Sequence, residues 1–463
     1  MALTQLEVLA ERVGRVVALD DSVRSLTFSD VRNVALDLAT QLHRLGIRRG
    51  DIVGLSVKDE INNFLTTISL LILGTSQVVL ASHDPTPLKL QLKQKLGVSR
   101  VVDDRVISGL LRKTSRIRSR TNPNYWEAEM GNLILKTSGS VNQAKLVPTP
   151  FSSLVLQADQ HAFYRDSRFL RLASIEHNNS RRHRLYCFFN GGTNLFRRSE
   201  VDALDVNYVN SAGCTRFDIA RSHFASLLEM SDSRILPPEI SITVAGSPLA
   251  GFLRQKFQEN VTPNLYVRYG STESGTISIA GPDDHGTEGG VGFPLPGVEI
   301  GIAEINNGGG VGAVKIKAPG MATHYLGHDG PTHNVFDDGW FIPGDLGEIS
   351  HSGMSRLLGR NTDAFTLDGV NIFPRDSEAS MLKNHAIKDV AVVKRESTTH
   401  DGIPVAFVVL NPGFEFDELE LLAWARNEMG LACPRQIIAV TELPTSDQGK
   451  IDYKELSERV NGG

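Results

Sequence analysis

The segment LTFSDVRNVALDLATQLHRLGI, residues 26–47, carries apolar side chains at Val31, Val34, Leu38, Leu42 and Leu45, a spacing that sets them on one face of a helix. Thr27 and Asp30 form a capping-box pattern at its start, and Gly46 supplies a stop. DIVGLSV, residues 51–57, follows at once and reads as a short buried strand. The alternation recurs through RVVDD, NLILKTSG, ISITVAG and LYVRYGS. Helices alternating with buried strands dictate α/β layers, with active-site loops at strand ends. No internal repeat or low-complexity segment interrupts the pattern.

A chain of 463 residues exceeds one ordinary core, so two or more domains are expected. From about Asp363 the pattern restarts as a smaller α+β unit: helix PRDSEASMLKNH, strands KDVAVV and VAFVVL, helix DELELLAWARNEM and strand QIIAV, then the loop PTSDQGK. That unit has about a hundred residues, a normal domain size.

Several function classes are excluded early. A formal charge of −5 gives no overall reason to expect nucleic acid. The basic clusters LRKTSRIRSR at 111–120 and RRHR at 181–184 read as solvated loops. Cys187, Cys214 and Cys433 are odd in number and widely spaced, which fits a reducing, cytoplasmic setting rather than a disulfide framework. The start MALTQLEVLAERVGR is unlike a secretion signal. FLTTISLLILGTSQVVLA, residues 64–81, is broken by Gly74, Ser76 and Gln77, so it reads as a buried helix followed by a strand and not as a membrane span.

Three loops can carry chemistry. TSGSVNQAK follows an apolar strand and offers Thr137, Ser138, Gly139, Ser140 and Lys145; hydroxyls, backbone N–H groups and a lysine suit phosphate oxygens, although the spacing is not that of the Walker loop. A polar strand-to-helix turn looks the same. YGSTES offers Tyr269 as a stacking surface, Thr272 as a hydroxyl donor and Glu273 as a hard oxygen ligand for Mg2+; a generic loop looks the same. GDLG contributes Asp345, a carboxylate able to accept from paired sugar hydroxyls; a plain turn aspartate is the other reading.

In this order, TSGSVNQAK, AGSPL at 245–249, YGSTES at 269–274, GDLG at 344–347, GRNTDAFTLDGVNIFPRDSE at 359–378 and LPTSDQGKID at 443–452 resemble the adenylate-forming superfamily: acyl-CoA synthetases, aryl-acid activating enzymes and the adenylation domains of nonribosomal peptide synthetases. The resemblance implies a large N-terminal ATP- and acyl-binding domain over residues 1–359, a hinge over 360–363 at Thr362 and Asp363, and a small mobile α+β lid over 364–463. It implies ATP and Mg2+ as cofactors, a carboxylic acid as substrate, and coenzyme A or a carrier protein's phosphopantetheine as acceptor. Lys450 would bridge carboxylate and α-phosphate, and Glu273 would hold the metal with Thr272 beside it. Thr137 to Ser140 with Lys145, Ala245, Gly246 and Ser247, Tyr269 to Ser271, Asp345 and Arg360 would bind the nucleotide. His177, Asn178, Gly246 and Gly270 would line the acyl site.

Some positions depart from the family pattern. Val141, Asn142 and Ala144 replace the usual residues of the phosphate loop, and Pro343 stands before GDLG. Asn178 occupies the place where amino-acid activating domains carry aspartate, and an unpaired buried ammonium is costly, so the expected substrate is an aryl, fatty or other non-amino acid. A polar surface loop is the other reading of HNNSRRHR. Three functions stay open: an acid–coenzyme A ligase, for which Arg181, Arg182 and Arg184 offer a patch for the coenzyme's phosphates; a stand-alone enzyme that loads a carrier protein; and a non-catalytic nucleotide-binding relative.

Overall fold

The computed structural model describes residues 2–114, 131–137, 145–197, 206–229, 236–245, 249, 251–284, 290–304, 310–327, 335–367, 370–397, 401–445 and 451–462. The chain divides into two compact units. One comprises residues 1–219, 271–276 and 317–341, and the other 220–270, 277–316 and 342–463.

In the first unit, five strands pair among the described residues in the order Arg100–Asp103, Ile52–Ser56, Ser76–Val79, Asn132–Lys136 and Leu146–Pro150. All neighbours are parallel except the last pair, whose register sets Lys136 opposite Leu146. A second set runs parallel through Arg216–Ile219, Arg168–Arg171, Thr193–Leu195 and Val17–Asp20. The helix Phe28–Arg44 starts at the expected capping box, where Thr27 Oγ1 accepts from the Asp30 amide and the Asp30 carboxylate accepts from the Thr27 amide. Its face packs through Val31, Leu38 and Leu42, which are fully buried. Leu45, expected on that face, is half exposed because the helix ends at Arg44 and Leu45 is its C-cap. The long apolar stretch is indeed the buried helix Glu60–Ile72 followed by the strand Ser76–Val79, and no described helix is long and apolar enough to cross a membrane.

The largest departure is RRHR. It belongs to the helix Asn178–Phe189, and Arg181, Arg182, His183 and Arg184 are all buried, so it is neither a solvated loop nor a surface patch for phosphates. Charges so placed persist only when hydrogen bonds replace water. Arg181 donates to Thr67 Oγ1 and Asn63 Oδ1, and burial pulls its pKa down to about 10. Arg184 donates to Glu60 Oε2 and to the carbonyls of Leu195 and Arg171. It also lies 4.1 Å over the Phe196 ring.

In the second unit, Ser241–Ala245 pairs in parallel with the strand that begins at Leu265. The strands Gly290–Pro294, Ser355–Arg360, Asp345–Ile349 and Gly312–Lys317 make a consecutive antiparallel run. Every helix and strand expected after Asp363 is present. Ile387–Arg395, Ile403–Leu410 and Gln436–Ala439 form one sheet, whose alternating residues face two cores. Val390, Val392, Ala406 and Val408 pack against the helices Pro374–Met381 and Glu418–Met429. Ala391, Val393, Val405 and Phe407 pack against Leu443 and against Leu456 of the helix Tyr453–Asn461.

Candidate active site

The loop that starts at Thr137 leaves the strand Asn132–Lys136 and returns as the antiparallel strand Leu146–Pro150. It is therefore a strand-to-strand hairpin and not the strand-to-helix turn allowed above. Its two ends are clamped: the Thr137 amide donates to the Lys145 carbonyl at 2.9 Å, and the Lys145 amide to Thr137 Oγ1 at 3.2 Å. Ser138, Gly139 and Ser140 lie outside the described residues, with Val141, Asn142 and Ala144. The Lys145 ammonium stands 4.7 Å above the Tyr325 ring, within cation–π range. Tyr325 Oη donates to Glu273 Oε1 at 2.7 Å. Burial, followed by the Glu273 charge, raises the phenol's pKa, so it stays protonated and acts as a donor. The Glu273 backbone is fixed as well: its carbonyl accepts from the Ala322 amide at 2.8 Å and its amide donates to Ser271 Oγ at 3.2 Å. One compact unit thus gathers a hairpin lysine, a phenol and a half-buried carboxylate held in one orientation.

Fit to a metal can be tested on these residues. No group of three or more His, Cys, Asp or Glu among the described residues could hold an ion. A single oriented carboxylate suits Mg2+, which is commonly bound by one or two carboxylates together with substrate phosphates and water.

His177 and Asn178 fall together at the start of the helix Asn178–Phe189, with His177 as its N-cap residue. The His177 ring stacks on His83, centroids 4.8 Å apart, and burial, then His83 and Arg171, push its pKa down. The Asn178 side-chain Nδ2 donates to the Lys136 carbonyl, and Lys136 pairs with Asp84. Beside them the Glu176 carboxylate accepts from the Ser82 amide and hydroxyl at 2.9 and 2.6 Å.

In the other unit, Tyr269 Oη donates to Asp345 Oδ2 at 2.5 Å, and Arg360 Nε lies 3.1 Å from Asp345 Oδ1. Strand register makes this meeting inevitable, since Asp345 pairs directly with Arg360. A second Arg360 nitrogen donates to the Pro343 carbonyl at 2.6 Å. Ala245 ends its strand half-buried and Gly270 is exposed. Past Arg360, Thr362 Oγ1 donates to Asp363 Oδ1 at 3.0 Å, and the Asp363 amide to the Arg360 carbonyl at 3.1 Å. Gly246, Ser247 and Lys450 lie outside the described residues. The chain on either side of the Lys450 loop is fixed, with Thr445 bridged to Ile451 and the Asp452 amide donating to the Pro444 carbonyl at 2.8 Å.

Sequence reasoning missed Tyr325. Its partner is 52 positions away, and a tyrosine in APGMATHYLG carries no periodic or spacing signal.

Three comparisons bear on this geometry. The profile of the family described as AMP-binding enzyme matches residues 66–326, more than half of the chain, and that of the AMP-binding enzyme C-terminal domain matches residues 376–450. The 2-succinylbenzoate–CoA ligase of Listeria monocytogenes is 24% identical over 455 residues, 94% of each chain. Among solved structures, the o-succinylbenzoate coenzyme A synthetase of Bacillus subtilis, in complex with ATP and a magnesium ion, superposes with a TM-score of 0.83 at 20% identity and covers 98% of both chains. An amide bond synthetase from Marinactinospora thermotolerans gives a TM-score of 0.84 at 20% identity over 100% of both chains. The shared fold is α/β, a large N-terminal AMP-binding domain followed by a small C-terminal one.

Proposed function

This chain belongs to the AMP-binding enzyme family, and from that premise we propose that it is an AMP-forming acid–thiol ligase acting on a non-amino carboxylic acid. The observation that carries the reading is the set Lys145, Tyr325 and Glu273 in one unit. It supplies a cation beside the phosphate hairpin and a preset oxygen ligand. In the first half-reaction the carboxylate oxygen attacks the α-phosphorus of ATP, the bond to the β-phosphate oxygen breaks, and pyrophosphate leaves. Charge concentrates where two anions meet, so fixed cations lower the barrier. Lys450 takes that place between carboxylate and α-phosphate, while Lys145 and the residues from Thr137 to Ser140, with Ala245, Gly246 and Ser247, orient the phosphates. Glu273 would hold magnesium, which would supply positive charge against the leaving pyrophosphate. Tyr269 supports the adenine, and Asp345, oriented by Arg360, accepts from the ribose hydroxyls. His177, Asn178, Gly246 and Gly270 face the acyl group.

In the second half-reaction a thiol attacks the acyl carbon and AMP leaves with the original carboxylate oxygen. Rotation of the lid 364–463 about Thr362 and Asp363 removes Lys450 and admits the thiol. The named substrates of the Listeria and Bacillus relatives support an aryl acid and coenzyme A. The likeness to an amide bond synthetase shows that the fold alone does not choose the acceptor. Three free, buried cysteines support a cytoplasmic setting.

The test is pyrophosphate release over a panel of aryl, fatty and dicarboxylic acids and proteinogenic amino acids, with and without coenzyme A. The expected result is release with a non-amino acid and thioester formation when coenzyme A is present. Release with a single amino acid would overturn the substrate class. Release that yields a thioester only with a phosphopantetheinylated carrier protein would transfer the reading to a loading enzyme, and no acid-dependent release at all would remove the catalytic claim.

A further inference from the structure

We propose that Arg182 is a positioning residue for Glu273, holding the metal-binding carboxylate in place from behind the Ser271–Thr272 turn. Arg182 is only 5% exposed. Its Nε donates to Tyr186 Oη at 2.9 Å and its Nη2 to Gln157 Oε1 at 3.1 Å. Nη1 donates to the carbonyls of Thr272 at 2.8 Å and Ser271 at 3.3 Å. All four acceptors are neutral. A buried guanidinium that finds carbonyls instead of a carboxylate is costly to desolvate, and two of those carbonyls belong to the residues just before Glu273.

The consequence follows from peptide planarity. The Thr272 carbonyl and the Glu273 amide lie on one rigid plane. Arg182 holds one end of that plane and Ser271 Oγ holds the other. With the Glu273 carbonyl taken by the Ala322 amide, the Glu273 backbone is fixed on both sides before its side chain meets Tyr325. The same network reaches the second segment. Gln157 Oε1 also accepts from Tyr186 Oη at 2.5 Å, while Gln157 Nε2 donates to the Gly320 carbonyl at 2.9 Å, five residues before Tyr325. Arg182 and Gln157 together therefore set the separation of the two segments that carry Glu273 and its phenol partner. The fit is close: a Cβ at Gly275, whose φ is +81°, would stand 2.7 Å from Arg182 Nη2.

The inference rests on Glu273 as the metal ligand, and the experiment separates the two claims. Arg182→Met keeps the apolar length and removes every donor, and Arg182→Lys keeps a charge with fewer donors. Arg181→Met is the structural control, because Arg181 is equally buried in the same helix but bonds to Asn63 and Thr67. Two quantities are read: the Mg2+ concentration for half-maximal pyrophosphate release, and the Mn2+ dissociation constant by EPR titration with a non-hydrolysable ATP analogue. Partners behind a metal ligand commonly change affinity 10- to 100-fold when removed. The expected result is a rise of about tenfold in both for Arg182→Met, a smaller one for Arg182→Lys, and none for Arg181→Met despite its lower Tm. If Arg182→Met does not fold, the Lys variant carries the test with a rise of about threefold. Unchanged metal affinity in the Arg182 variants, or an equal shift in Arg181→Met, overturns the inference. Absence of acid-dependent turnover in the parent enzyme, with the Mn2+ shift intact, strikes the proposed reaction and leaves the positioning role standing.

Discussion

His177 shows how a residue's surroundings become a measurable property. Burial and the neighbouring His83 and Arg171 disfavour its charged form, with Glu176 opposing them. The unfolded chain therefore binds a proton at this site near the ordinary imidazole pKa of about 6.5, while the folded chain resists. Where the unfolded state binds more protons, stability rises with pH. The His177 contribution is thus fully present above that value and is lost as pH falls from it through the depressed folded value. Tm measured from pH 8 to pH 5 should fall toward acid, and His177→Gln should flatten that slope; an identical slope would contradict the assignment. At this scale legibility was uneven. Glu273, Asp345 and Arg360 were legible as candidates because a carboxylate suited to Mg2+, a carboxylate suited to sugar hydroxyls and the order of the motifs have sequence signatures. Tyr325 was not, and Arg182 was legible only as part of a basic patch, since each meets a partner dozens of positions away.

The helix Tyr453–Asn461 anchors the chain just after the Lys450 loop. Tyr453 Oη donates to Glu378 Oε2 at 3.1 Å, and the Arg375 guanidinium, which also bonds that hydroxyl, lies 4.0 Å over the ring. Glu378 Oε1 accepts from the Val392 amide at 2.9 Å, so the last helix, the helix Pro374–Met381 and the sheet share one junction. Removing one half-buried hydroxyl from such a junction costs about 1 kcal/mol. Tyr453→Phe should therefore lower Tm and lower kcat for adenylation with little change in the KM for ATP. A change confined to KM would mean that the junction does not position the loop. Element by element, the alternating helices and strands and the whole pattern after Asp363 were legible, because buried strands and amphipathic helices carry periodicity. The antiparallel run from Gly290 to Arg360 was not, since its short strands take their register from distant partners. The helix Asn178–Phe189 was hidden by its own composition, because arginines hold core positions there through partners such as Asn63, Thr67 and Glu60.

For the whole molecule, the two family stretches, 66–326 and 376–450, leave Thr362 and Asp363 between them, where the proposed hinge falls. Arg356 before that point pairs with Asp376 after it at 3.1 Å, and with Glu348 at 2.9 Å, so the proposed rotation of the lid would have to break the first contact while the second could persist. The proposed reaction requires the chain to join a carboxylate to the α-phosphorus of ATP before a thiol arrives. The most direct measurement uses the best acid of the panel with both carboxylate oxygens labelled with 18O. After turnover with ATP and coenzyme A, mass spectrometry of the nucleotide should find one 18O in the phosphate of AMP and none in pyrophosphate. Unlabelled AMP, or ADP together with labelled orthophosphate, would contradict the account.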